Sequence, residues 1–203
     1  MIKSPFLVIE DFLSPLDCEI IVEKYGNSLP DCNDKGVELK TILPHPLYEN
    51  RIWNKLSDYF EYIESYYSVE IESLSKMHVE WYPEGCPQEP VRCENSIYTN
   101  KKWSITNKND FTVIIFLKSF NSSKNFDTDF ECYGGKLEFP NHNFGFTPIR
   151  GTAIIFPSNQ YFLNATKSPE ISDMFQARLH ITCEKRFQYS PKSYEGNYTT
   201  WFK

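Results

Sequence analysis

The chain has 203 residues, 40% apolar and 24% charged, which suits one domain with a full core and is short for two. A formal charge of −6 without any basic stripe argues against nucleic-acid binding by phosphate neutralisation. The longest apolar strings, Phe111–Leu117 and Thr152–Pro157, fall far short of a membrane span.

The opening MIKSPFLVIEDFL is broken by Glu10 and Asp11 and is too brief for a signal peptide. The six cysteines form no CxxC pair, so they read as reduced thiols of an intracellular protein, with Cys86 and Cys93 the pair near enough to be the exception. The expected location is cytoplasmic or virion, neither secreted nor membrane-bound. A strand around Val8 and Ile9 runs into a helix with Ser14 as N-cap and Pro15 at its first position. Leu16, Ile20, Ile21 and Tyr25 give that helix one apolar face, and Gly26 ends it. A second helix is predicted from Leu47 to about Tyr66, on the recurrence of Tyr48, Ile52, Leu56, Tyr59, Phe60 and Ile63. His45 and His142 fall in loops.

From there short apolar runs follow at 77–82, 91–98, 111–118, 135–139, 152–157 and 178–183, bounded by Gly, Pro, Asn and Ser. The first alternates, with Met77, Val79 and Trp81 on one face and His78, Glu80 and Tyr82 on the other. High aromatic content, 16%, also suits half-buried pleated surfaces. The expected fold is α+β, an all-β sandwich or jelly roll with helices buttressing one sheet. One domain is expected over 1–203: helices and first strands to about 75, a β core over 76–183, and an aromatic-rich tail over 184–203.

Several segments follow one another in a telling order: Phe6-Leu7-Val8-Ile9-Glu10-Asp11-Phe12-Leu13-Ser14, Trp81-Tyr82-Pro83-Glu84-Gly85, Arg92-Cys93-Glu94-Asn95-Ser96, and Trp103 with Asp110 to Leu117. They continue with Tyr133-Gly134-Gly135-Lys136-Leu137-Glu138-Phe139, Pro148 to Ser158, and Gln176-Ala177-Arg178-Leu179-His180. This order of motifs resembles the prolyl 4-hydroxylase-like, Fe(II)- and 2-oxoglutarate-dependent oxygenases. Glu94-Asn95-Ser96 and Phe156-Pro157-Ser158 resemble the short phage-encoded members in particular. The resemblance implies a double-stranded β-helix, cupin-like, over roughly residues 5–183.

It also implies where iron ligands belong. The family supplies a His-x-Asp pair on an early strand and a distal histidine later, leaving positions open for 2-oxoglutarate and O₂. The matching residues here are Arg92, Glu94 and Asn164. Arginine carries no lone pair and a fixed positive charge, so a working iron site is not expected. Arg92 is expected to take the place of the metal, paired with Glu94, with Asn164 satisfying remaining donors. His180 shares strand parity with Arg178 and should point inward with it. Arg178 matches the family's basic residue for the distal carboxylate of 2-oxoglutarate; it retains dicarboxylate binding, with His180 beside it, or pairs with an internal acid such as Glu94, or simply caps the barrel mouth.

Asp127, Asp129 and Glu131 read as a solvated acidic loop, and Trp81 and Trp103 as packing residues. Tyr194, Tyr198, Trp201 and Phe202 either pack back on their own domain or anchor a partner. The functional expectation is a non-catalytic structural or protein-interaction module, a virion or assembly component, with other proteins as partners, no nucleic acid and no cofactor. The alternative is an active hydroxylase with an unorthodox metal site, using Fe(II) and 2-oxoglutarate.

Overall fold

The structure, a computed structural model, describes residues 4–26, 29, 40–42, 45–123 and 129–189. Its elements in chain order are β1 (Leu7–Ile9), α1 (Pro15–Gly26), β2 (Lys40–Ile42), α2 (Pro46–Ser57), α3 (Phe60–Tyr67), β3 (Ile71–Leu74), β4 (His78–Tyr82), β5 (Ser96–Thr99) and β6 (Lys102–Ile105). There follow β7 (Phe111–Phe116), β8 (Ser119–Phe120), β9 (Glu131–Gly134), β10 (Leu137–Phe139), β11 (Phe144–Phe146), β12 (Ala153–Pro157), β13 (Ala165–Thr166), β14 (Pro169–Ile171) and β15 (Met174–Cys183). Among the described residues the main sheet runs β1-β12-β7-β15-β4-β2, with β3 also on β15. Smaller sheets, β11-β10-β13 and β14-β9-β8, complete the double-stranded β-helix, and β5-β6 forms a separate ribbon.

Period-two alternation divides the main sheet into two faces. Val79, Trp81, Val113, Ile115, Ala153, Ile155, Ala177, Leu179 and Ile181 face outward and join Cys18, Ile21, Ile52, Leu56, Ile63 and Tyr67 of the helices in one apolar core. Each fully buried Leu or Ile there contributes about 1.5–3 kcal/mol. The opposite face lines the barrel. At one end Ile114, Phe116, Ile154 and Phe156 meet Phe6, Leu137, Phe139 and Phe162. At the other end the same face presents Glu80, Gln176, Arg178 and His180.

Local signals explain much of this. Ser14 Oγ accepts from the Asp17 N–H at 3.2 Å and donates to the Asp17 carboxylate at 2.8 Å, capping α1. His45 lies outside α2, as expected, and serves as its N-cap, its Nδ1 accepting from Leu47 N–H. The single helix expected from Leu47 to Tyr66 is two: α2 closes at Asp58, and α3 restarts after Tyr59, whose backbone leaves the helical region. The break lets each segment bury its own pair, Ile52 with Leu56 and Ile63 with Tyr67. Tyr67 then donates to Ile155 O at 2.8 Å, tying α3 to the sheet. Gly134 lies at φ 103°, and a Cβ there would come within 2.8 Å of Ser168 O; the Gly-Gly turn is a steric requirement.

Two strand expectations need correction. The run 91–98 is not one strand: Arg92 makes only an isolated antiparallel bridge with Asn164, and β5 begins at Ser96 to pair with β6. The run 178–183 begins earlier, at Met174, because β7 and β4 flank β15 along Gln176–Arg178 and satisfy its backbone there. His142 lies in a 3₁₀ turn, buried and stacked on Phe162 at 4.6 Å. Trp81 is buried in the main core, and Trp103 packs on Tyr98. The cysteines among the described residues, including Cys86 and Cys93, are free thiols. Of the acidic run, Asp129 is exposed and Glu131 accepts from Asn121. Asp127 and the tail residues Tyr194, Tyr198, Trp201 and Phe202 lie outside the described residues. No described helix is long and apolar enough to cross a membrane.

Candidate functional site: a buried ion lattice

Three pieces of chain converge at the polar end of the barrel. β15 carries Gln176, Arg178 and His180 at i, i+2 and i+4, all on the inner face. β4, paired with it in the register Gln176↔Glu80 and Arg178↔His78, adds Glu80 and Tyr82. The segment between β4 and β5 crosses the mouth, anchored by reciprocal backbone hydrogen bonds of 3.0 Å between Arg92 and Asn164, and contributes Glu89, Arg92 and Glu94.

Arg92 spends its guanidinium on three carboxylates. Its Nη2 donates to Glu80 at 2.9 Å, Nη1 reaches Glu89 at 2.7 Å, and Nε donates to Glu94 at 3.1 Å. Arg178 lies deeper: its Nε donates to both Glu80 oxygens at 2.9 and 3.0 Å, and Nη1 to Glu94 at 2.6 Å. His180 Nε2 stands 3.4 Å from the other Glu94 oxygen. Gln176 Nε2 donates to Glu80 at 2.6 Å. Asn164 is fully buried, with Oδ1 at 3.5 Å from Arg178 Nη1 and Nδ2 donating to Phe162 O. The Arg178 side chain is 4% exposed and that of Arg92 32%, so Arg92 forms the outer layer.

The charges respond to this packing. Burial pushes the Glu80 carboxyl up, but the guanidinium of Arg178, then that of Arg92, overrules it and brings it down to about 2. Glu94 is also held well below the usual carboxylate range, by Arg178, His180 and Arg92 against burial. Glu89 goes the other way: burial outweighs the pull of Arg92 and Arg178, and its pKa is raised. Three carboxylates thus face two guanidinium groups and one imidazole. Arg178 Nη2 and Gln176 Oε1, one donor and one acceptor, are buried without a hydrogen-bond partner among the described residues.

The sequence pointed to Arg92, Glu94, Asn164, Arg178 and His180, and these five come together in one site. Of the readings open for Arg178, the contacts show pairing with internal acids, Glu94 and also Glu80. Glu80, the hub of the lattice, was missed, as were Glu89 and Gln176. A signal existed for two of them: Glu80 shares the phase of β4 opposite Val79 and Trp81, and Gln176 shares the parity of Arg178. Nothing local marks Glu89.

Fe(II) does not fit these side chains. Arg92, which the sequence resemblance matches to the first histidine, is a cation with no lone pair, and the Glu80 and Glu94 carboxylates are already accepting from guanidinium groups. Among the described residues no three His, Cys, Asp or Glu side chains are arranged to hold a metal.

A scan against protein-family models finds no match, nor does a search of curated proteins. Solved structures do match. The viral collagen prolyl hydroxylase vCPH of Paramecium Bursaria Chlorella virus-1, as its 2OG complex, aligns with TM-score 0.63 and 17% identity over 88% of this chain and 96% of that one. A Trichoplax adhaerens prolyl hydroxylase, solved with a hypoxia inducible factor oxygen degradation domain peptide, gives 0.63 and 18% over 90% and 86%. A Pseudomonas putida prolyl-4-hydroxylase gives 0.59 and 11% over 90% and 94%. At such identities the likeness speaks for the fold. The chain has a double-stranded β-helix, and in particular the prolyl 4-hydroxylase-like 2-oxoglutarate oxygenase fold.

Proposed function

We propose that this chain is a non-catalytic protein on the oxygenase fold, a structural or protein-interaction module in which a buried ion lattice stands at the positions where such enzymes hold iron. The observation that carries this reading is that Arg92, which the resemblance sets at a ligand position, bridges Glu80, Glu89 and Glu94. A scaffold alone does not set function; the chemistry of these side chains argues against oxygen activation. It argues equally against a dicarboxylate ligand. Arg178 is sheathed by Glu80 and Glu94, and a dianion entering there meets three carboxylates.

The specific form we favour is a virion or assembly component, supported by the likeness of the Glu94-Asn95-Ser96 and Phe156-Pro157-Ser158 segments to short phage-encoded members. The aromatic tail residues Tyr194, Tyr198, Trp201 and Phe202 are the proposed partner contacts, on the ground that aromatic side chains are favoured at interface centres.

The test is turnover. The purified chain is supplied with Fe(II), ascorbate and 2-oxoglutarate, and succinate is measured with and without prolyl peptide. The expected result is succinate at the background of a protein-free control. Iron-dependent succinate formation above that background would establish the hydroxylase reading instead.

A further inference from the structure

The segment that crosses the barrel mouth is regular without being helix or strand. Over residues 86–92 burial repeats at every third position: Cys86 and Glu89 are buried and Arg92 is half-buried, whereas Pro87, Gln88, Pro90 and Val91 are exposed. A period of three is that of the polyproline II helix, which turns once in about three residues. The local sequence favours it. Pro87 and Pro90 each fix φ near about −65°, and the residues before them, Cys86 and Glu89, are pushed out of the α region. No residue of 86–92 lies at positive φ.

The inner edge of this segment is pinned and the outer edges are not. Glu89 Oε2 accepts from the Thr166 N–H at 3.2 Å and from the Tyr82 hydroxyl at 3.3 Å. Its other oxygen meets Arg92 Nη1 at 2.7 Å, one turn along the same edge. Arg92 is in turn bridged to Asn164 and held by Glu80 and Glu94. Outside, Pro87 and Pro90 form one edge and Gln88 and Val91 the other, with Val91 51% exposed. Among the described residues the backbone N–H and C=O groups of 87–91 make no hydrogen bond. The outer surface is thus a ridge of proline rings, a valine and uncommitted carbonyls.

We infer that this ridge is a docking site for a partner domain that takes polyproline II segments in a groove of aromatic rings. Such grooves seat the proline edge between their rings, and an indole or phenol at the rim finds the free carbonyls as acceptors. The ion lattice serves this docking directly. A segment already held in its bound conformation loses little entropy when it is gripped, and Glu89 and Arg92 hold it from the inside. The inference rests on the reading of the chain as an interaction module, and it adds a second contact to the aromatic tail. Succinate formation with docking intact would overturn that reading alone; no docking and no succinate would overturn this inference alone.

The experiment titrates the isotope-labelled full chain with isolated modules of this kind, an SH3, a WW and an EVH1 domain, and follows each by amide NMR. At least one is expected to shift the Gln88, Glu89 and Val91 amides saturably, and a free oligoproline peptide should compete with it. Pro87→Ala/Pro90→Ala should weaken that binding about tenfold or more. Val91→Ser should weaken it less, and Leu16→Ser, exposed on α1, not at all. All these positions are exposed, so the spectra should show every variant folded. Before any module is added, the order parameters of the three ridge amides should match those of β15. Absence of a shift with every module overturns the inference. So does binding that survives the loss of both prolines, or a ridge whose amides move freely on the fast timescale.

Discussion

The two faces of β15 solve the same problem by opposite means. Ala177, Leu179 and Ile181 point outward into the core under the helices, where shape and apolar area suffice. Gln176, Arg178 and His180, one residue out of phase, point into the barrel, where each group depends on a named partner. An apolar layer tolerates exchange of one hydrocarbon for another. A polar lattice in low dielectric does not, because removing one member strands the rest. The same strand therefore carries a forgiving face and an exacting one.

Substitutions at the lattice hub should show the largest effect. Glu80→Ala leaves Arg178 buried with half its partners gone, and should cost about 3–5 kcal/mol in denaturant unfolding. The comparison is sharpened by replacing hub and partner together. Glu80→Leu with Arg178→Met should be more stable than either single variant, because it removes charge and counter-charge at once. A double variant no better than the worse single would show that the two faces do not differ in this way. On the outward face, Leu179→Ala should cost about 2–5 kcal/mol by ordinary cavity formation, and Leu179→Met less than about 1.5 kcal/mol.

Arg92→Ala comes next, at about 3 kcal/mol, the lower end of the range for a broken buried pair, since a third of its side chain already lies in water. Arg92→His should leave the protein without iron binding, because Glu94 and Asn164 remain as they are.

The acid response has a fixed sign. The Glu80 carboxyl lies at about 2 against an ordinary 4.5, so its stabilisation is fully present above 4.5 and lost as the pH falls through about 2; Glu94 acts in the same direction. Melting temperature should therefore drop over that window. Glu89 is the reverse case. Its raised pKa means that stability is greatest below 4.5 and declines as the pH rises through its folded-state value. The smallest effect expected follows from this: Glu89→Gln should gain stability relative to the unmodified chain as the pH goes from 4.5 to 7. A gap that narrows over this range would contradict the assignment of excess negative charge to Glu89.

The fold was more legible than the lattice. Period-two runs and the Gly-Gly and Phe-Pro-Ser segments indicated the strands and their order, because those signals are local. The break between α2 and α3 was not visible, since Tyr59 and Phe60 continue the apolar recurrence across it. Inward-facing Arg178 and His180 followed from parity on one strand. Glu80 was set on the correct face of β4 but not joined to Arg178, because that contact depends on the pairing of β4 with β15, ninety-odd residues apart. Glu89 reaches the site from a stretch without strand structure, where periodicity says nothing about direction.

The most direct measurement is an anaerobic titration of the unmodified chain with Fe(II) in the presence of 2-oxoglutarate, followed calorimetrically and by visible absorption. The lattice predicts no saturable binding and no absorption band from a chelated keto acid, since Arg92 already holds the carboxylates an ion would need. One equivalent of iron bound tightly, with such a band, would show that the arginine yields its place to the metal and that the account is wrong.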